Sequence, residues 1–358
     1  MKKIPTAVLA LMMTISAPAQ FYIYLPNGGA LQADSISVVA PSDDPNTPVT
    51  PLSEGVLSGE FSVSATKKVH FSQGNLQYQA TTNTWRFADN QYTRCKTNGY
   101  IAEDYDGWID LFGWGTSGYN NIANDSLAVN YQPWAKTTSR LNATILYRTE
   151  IDNINCEMQA ITGKCDTTWT EGGTYHSDSV NYYGYGPSTY KSDKNLAGTS
   201  ANYDWGVYNA ITNGGAQAGL WRTLTEEEWE YILNGRPLAQ YLRSQATVCD
   251  QHGYVLLPDD FTLPQGLSWS YQAGNWTTNT YDAQAWSVME SRGAVFLPAA
   301  DHRLNTSVIH PGTFGYYWST THNGNGQARC MFFNSGVIRI VNGNRYDGES
   351  VRLVQDVQ

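Results

Sequence analysis

Trp221-Arg222-Thr223-Leu224-Thr225-Glu226-Glu227-Glu228-Trp229-Glu230-Tyr231 is the stretch on which the reading of this chain turns. The run from Leu220 to Leu224 leads into a threonine followed three residues later by glutamate. In that spacing each side chain caps the other residue's backbone N–H at a helix start. Glutamates in the first turn also suit the positive end of the helix dipole. The pattern predicts a helix from Thr225 to Leu233 with Trp229 and Ile232 on its buried face, stopped by Gly235 and Pro237. The same glutamates could be drawn as a catalytic carboxylate pair, but capping and dipole account for them, so the helix reads as scaffold.

Upstream, Glu60 to Ser64 and Lys68 to Phe71 alternate as strands do, and Asn75 to Tyr78 and Thr84 to Phe87 continue the pattern, so a β-meander is expected here. Tyr105 to Tyr119 is dense in Gly and Trp, which suggests a tightly packed loop whose turns need glycine. From about 120 to 203 the sequence is polar and irregular and reads as a surface insertion. Downstream, a second helix is expected from Asp282, its N-cap, to Arg292, with Gly293 just past its end. Strands are expected at Ala294–Leu297, Tyr316–Ser319 and Ala328–Phe333, then a turn at Asn334-Ser335-Gly336 into Val337–Val341, with Ser350–Val354 closing the sheet. Phe332, Val337 and Val351 are the apolar residues expected to pin these last strands. The class is α+β, a mixed and mostly antiparallel sheet with two main helices and long irregular loops.

Residues 1–19 read as a secretory signal: Met1-Lys2-Lys3, an apolar run from Ala7 to Ile15, then Ala17-Pro18-Ala19 with cleavage after Ala19. Thr14, Ser16, Pro18 and Gln20 interrupt the run too early for the roughly 20 apolar residues of a membrane span. Residues 20–40 read as a β-hairpin around Pro26-Asn27-Gly28-Gly29, residues 41–58 as a proline-rich linker, and 59–358 as the main domain. Export to the periplasm, cell surface or extracellular space is therefore expected, with no transmembrane segment in the mature chain.

Composition narrows the partners. With 32 acidic and 22 basic residues the net charge is −10, or −12 once Lys2 and Lys3 leave with the signal. Nucleic acid, which needs a basic face, is excluded as a partner. Thirty-two Gly, 24 Tyr and 12 Trp suit recognition surfaces, where rings give contact area at low entropy cost. Five cysteines leave at least one unpaired, Cys156 and Cys165 could close a short loop, and Cys330 in an apolar run reads as a core residue. The histidines and cysteines have no zinc spacing, no Gly-x-Ser-x-Gly turn occurs, and Asp104, Asp106 and Asp110 lack the EF-hand pattern. No catalytic residue, metal or cofactor is expected. Asp34-Ser35-Ile36, Asp125-Ser126-Leu127, Asp166-Thr167-Thr168 and Asp178-Ser179-Val180 resemble the Asp-Ser/Thr-apolar acceptors of Bacteroidetes O-glycosylation.

Trp221 to Tyr231 is similar to the signature of the formylglycine-generating, sulfatase-modifying superfamily, whose fold is C-type-lectin-like. Phe61 to Phe87, Gly107 to Tyr119, Ala294 to Ala300, Tyr317 to Thr321 and Gly348 to Val354 resemble a narrower group, the Bacteroidetes and Fibrobacter major paralogous domain proteins. The C-terminal pattern also resembles the variable proteins of diversity-generating retroelements, in which a lectin-fold scaffold displays ligand contacts. That resemblance implies a binding surface at Tyr316, Thr321, His322, Asn323, Asn325, Gln327, Arg329, Asn334, Asn342, Asn344, Arg345 and Tyr346.

The function expected is thus that of an exported recognition or adhesion protein for a protein or glycan on another cell or host surface, not an enzyme. Two rivals remain open. One is a metal- and oxygen-dependent modifying enzyme of the formylglycine-generating superfamily, although Cys249 and Cys330 lack that family's local motif. The other is an adhesin-stalk component that associates through the N-terminal hairpin.

Overall fold

The computed structural model describes residues 54–79, 82–95, 107–119, 195–304, 307–323, 327–345 and 347–357, and the backbone of four further strands. Those four are β1 (Phe21–Tyr24) paired antiparallel with β2 (Ala30–Ala33), and β7 (Thr167–Glu171) paired antiparallel with β8 (Thr174–Asp178). The remaining strands before β7 are β3 (Phe61–Ser62), β4 (Lys68–Phe71), β5 (Leu76–Gln79) and β6 (Thr84–Phe87). After β8 come α1 (Trp205–Tyr208), β9 (Arg222–Thr223), α2 (Glu226–Glu230), β10 (Arg243–Val248), β11 (Gln251–Leu256), β12 (Thr280–Tyr281), α3 (Ala283–Ser291) and β13 (Val295–Pro298). The chain then runs through β14 (His302–Leu304), β15 (Ser307–Ile309), β16 (Gly315–His322), β17 (Gln327–Phe333), β18 (Ile338–Asn344) and β19 (Leu353–Asp356). Antiparallel pairing dominates, with β10 and β12 as a parallel pair, so the architecture is α+β with few, short helices.

The expected meander does not form one sheet. β4 turns away to pair with the C-terminal β19, which also pairs with β9, giving the order β3-β4-β19-β9, whereas β5 and β6 form a separate ladder. The expected closing stretch is divided: Ser350 bridges Tyr317 of β16 in parallel, whereas β19 itself leaves the β16–β18 sheet. It joins the two ends of the domain and carries the run that leads into α2.

Alternation explains the core. In and just beside β11 and β13, Tyr254, Leu256, Val295 and Leu297 enter one apolar cluster, while Val255, Leu257, Ala294 and Phe296 enter another with Trp286 and Met289 of α3. A sheet buried on both faces reads as a continuous apolar run, as Val295 to Leu297 does. β16 and β17 divide two clusters in the same way: Tyr317, Met331 and Phe333 face Trp229 and Phe71, and Trp318, Ala328 and Cys330 face Trp85, Phe112, Trp114 and Trp205. Cys330 is a core residue, as expected. The Gly- and Trp-rich loop is packed as expected, with Ile109, Phe112 and Trp114 fully buried and Gly115 and Gly118 at positive φ.

Three boundaries move. Leu57, inside the expected linker, is buried and its N–H bonds Phe71 O, so packing begins before residue 59. Leu196 and Tyr203, inside the expected insertion, belong to the core cluster around Trp205. Val337 is 44% exposed at the hairpin turn and pins nothing, while Val351 and Phe332 are buried.

At α2 the capping box is present in both directions, between Thr225 Oγ1 and Glu228 N and between Glu228 Oε2 and Thr225 N. The helix does not stop at Leu233. A wider π turn runs from Tyr231 to Gly235, closed by Arg236 N donating to Tyr231 O. The buried Arg236 guanidinium holds this turn by donating to Ile232 O and Asp259. α3 starts at its N-cap Asp282, which accepts from Ala285 N, and Gly293 follows at φ +83.

Candidate functional site

Ten of the twelve residues of the expected binding surface fall on or beside the three-stranded sheet β16-β17-β18; Asn325 and Tyr346 lie outside the described residues. Register divides the sheet into two faces. Tyr317, Arg329, Met331, Phe333, Ile338, Ile340 and Asn342 point to the face on which α2 packs, and Tyr316, Trp318, Cys330, Phe332, Arg339 and Val341 point to the other.

On the α2 face, β16 carries a bulge. Three residues, Ser319 to Thr321, separate the pairs Trp318–Cys330 and His322–Ala328, where β17 has only Arg329. Hydroxyls satisfy the distorted backbone: Ser319 Oγ donates to Arg329 O and accepts from Thr321 N. Thr321 Oγ1 in turn accepts from Glu226 N at 3.0 Å, so this threonine caps the first helical N–H of α2. It is buried and corrects the expectation that Thr321 is displayed.

Arg329 is half-buried and forms the centre of a polar chain across the strands. Its guanidinium donates to Glu226 Oε1 (Nε 2.7 Å, Nη2 2.5 Å) and to Asn342 Oδ1 at 2.5 Å. His322 N donates to Asn195 Oδ1, and Asn323, exposed, donates its N–H to Gln327 O. Asn334 is spent on the turn, its Oδ1 accepting from Gly336 N and Val337 N.

The other face of the sheet is built differently at this end. Arg345 is 1% exposed; its guanidinium lies 4.6 Å from the Trp114 ring centroid and its Nε donates to Gln327 O. Arg345 is thus a core residue, a second correction. Further buried charges are Asp110, Asp301, Arg303, Asp347 and Glu349, of which Asp301 and Asp347 act on Glu349, and Asn344 donates to Asp347. A Cβ on Gly343 would come 2.4 Å from Glu349 Oε1 and 2.8 Å from the Trp318 ring, so glycine is what lets this carboxylate pack against β18. Burial, reinforced by Asp347 and Asp301, pushes the Glu349 carboxyl well above its usual range. Burial also raises Asp110 to about 6, although Cys95 N donates to it and Arg303 and Arg94 oppose the shift. The Cys330 thiol is pushed well up by burial and then by Glu349, and stays protonated. Burial acts against the charged form of His302, but its bond to Asp301 and the charges of Asp301 and Asp347 together outweigh this and raise its pKa. Half-buried Tyr316 stacks edge-on with His302 and against Phe332, and burial with the neighbouring carboxylates raises its hydroxyl pKa.

Between α2 and β18 runs an open groove of about 840 Å³, lined on the helix side by Glu226, Glu227, Glu230 and Tyr231 and on the sheet side by Arg329, Ile338, Arg339 and Ile340. Of the expected residues, Arg329 lies in this groove and Asn342 beside it through their bond. The acidic wall was missed as a binding element because capping explains the same glutamates. Cys249, at a hairpin turn, and Cys330 sit in different core clusters, and both are free thiols, as is Cys95. Among the described residues no group of His, Cys, Asp and Glu is arranged to hold a metal ion, and no helix is long and apolar enough to cross a membrane. Asp104, Asp106, Cys156 and Cys165 lie outside the described residues, as do residues 1–19 and the side chains of the four Asp-Ser/Thr-apolar sites. No family model, curated protein or solved structure matches this chain.

Proposed function

We propose that this is an exported recognition protein whose C-type-lectin-like domain offers the α2 face of the β16–β18 sheet, with the adjoining loops, to a protein or glycan ligand. The observation that carries the reading is the groove beside Arg329, where a hydrogen-bonded polar chain, two isoleucines and a tyrosine meet at the surface. Binding sites of this kind combine apolar contact with a few oriented polar groups. Mostly antiparallel sheets with few helices are compatible with a C-type-lectin-like scaffold. Thr321 and Arg345 belong to that scaffold, and His322, Asn323, Arg329 and Asn342 are the residues offered to a ligand.

The test is binding of the chain to glycan and surface-protein arrays, beside a His322→Ala/Asn323→Ala/Arg329→Ala/Asn342→Ala variant of matched melting temperature. A ligand bound by the parent and lost by the variant supports the proposal. Binding that survives the substitutions, or its absence from both arrays, overturns it, and one copper or iron per chain would then favour an oxygen-dependent enzyme.

A further inference from the structure

β18 is an edge strand: it pairs with β17, and among the described residues nothing pairs with its other side. The turn fixes which backbone groups point outward. Asn334 N donates to Val337 O, making these two a hydrogen-bonded pair, and alternation along the ladder makes Phe332–Arg339 and Cys330–Val341 the next such pairs. The N–H and C=O groups of Ile338, Ile340 and Asn342 therefore face the open side. Edges are commonly blunted by proline, bulges or outward charge. β18 has no proline, its ladder to β17 is unbroken, and its one charged side chain, Arg339, points to the opposite face, 5.8 Å from the Phe332 ring centroid.

The open edge borders the groove, whose helix wall is acidic, while Arg339 also borders it on the sheet side. Glu226 is occupied by Arg329, but Glu227 and Glu230 are exposed, Glu230 accepting a bond from Asn234. Half-buried Ile338 and Ile340 form the floor below them. A strand laid along β18 would place every second side chain over this floor. Lysine or arginine suits those positions, because its apolar stem covers the isoleucines while its head reaches the carboxylates.

We infer that the groove binds an extended basic peptide, which adds to β18 as a fourth strand with alternate Lys or Arg side chains directed at Glu227 and Glu230. The inference rests on the recognition reading and names its ligand class. A free ladder of backbone donors and acceptors favours a peptide over a glycan. A second copy is disfavoured, since pairing β18 with β18 brings two acidic walls together. The chain's own residues 20–58 are disfavoured too, having Asp34, Asp43, Asp44 and Glu54 but no Lys or Arg.

The probe is a fluorescein-labelled alternating Lys-Thr peptide of about eight residues, titrated into the full chain at low salt. Saturable binding is expected, weakened by about tenfold or more for the Glu-Thr peptide, with the preference inverted by Glu227→Lys/Glu230→Lys. N-methylation of one alternate set of peptide residues should abolish binding and of the other set should leave it intact, because only one set faces the edge. Equal binding of both methylated peptides overturns strand addition, and so does failure of the Lys-Thr peptide to bind. An unchanged preference in the charge-reversed variant overturns the role of the acidic wall. If an array ligand depends on His322, Asn323, Arg329 and Asn342 while the peptide does not bind, this inference alone falls. The reverse result overturns the surface reading and leaves strand addition standing.

Discussion

Arg329 and Arg345 stand near the open end of one hairpin, on its opposite faces and both amid Asn and Gly, and the fold uses them in opposite ways. Arg329 keeps a quarter of its side chain in solvent and bonds Glu226 and Asn342 at the surface, whereas Arg345 is buried against Trp114 among Asp347, Glu349 and Arg303. The hairpin is solvent-facing on one side, where we propose binding, and carries a buried polar core on the other. Local polarity does not distinguish the two, because what buries Arg345 is the distant loop that carries Trp114.

The comparison breaks most visibly through Arg345→Ala. Removing one member of a buried charged group leaves its carboxylate neighbours uncompensated, a loss of about 3–5 kcal/mol. Urea unfolding should show a large drop in midpoint, and an unchanged midpoint would mean that the polar cluster is not the buried unit described.

Two buried aspartates in separate parts of the core give the stability a pH dependence of a definite sign. Asp110 is raised from 3.8 to about 6 and so, by burial against its bonds to Thr223 and Gly206, is Asp204. Between roughly pH 4 and 6 the folded chain holds protons that the unfolded chain has released. Their contribution is present below pH 4 and lost as pH rises through 6. Asp110→Asn, which can still accept from Cys95 N, should therefore lose less stability than the parent over this window. Unfolding midpoints at several pH values check it, and parallel curves would contradict the raised pKa.

How much of this was legible follows the same division. α2 and α3 were readable because their signals are local: the capping box, Asp282 and Gly293 each act within one turn. The β10–β11 hairpin was not, because its turn uses Cys249 and Asp250, both at positive φ, where Asn-Gly is the usual signal. The pairing of β4 with β19 joins residues at opposite ends of the domain, and nothing in either strand specifies its partner. At the site, Arg329 and Asn342 were legible only through the resemblance of the C-terminal pattern, Asn342 as part of a loop and not of a strand. The roles of Thr321 and Glu226 were not, since both depend on the β16 bulge meeting the start of α2.

The smallest effect sharpens the contrast. Arg329→Ala removes bonds to Glu226 and Asn342, but all three groups reach solvent and can be rehydrated, and half-exposed ion pairs contribute about 1 kcal/mol or less. The charge left on Glu226 lies in the first turn of α2, where the helix dipole favours it, which reduces the loss further. The variant should therefore fold with a midpoint close to the parent's, show a weaker salt dependence of stability, and lose binding to any ligand of the groove. A loss as large as that of Arg345→Ala would place Arg329 in the scaffold and remove it from the surface, because a residue that the fold needs that much is not free to serve recognition alone.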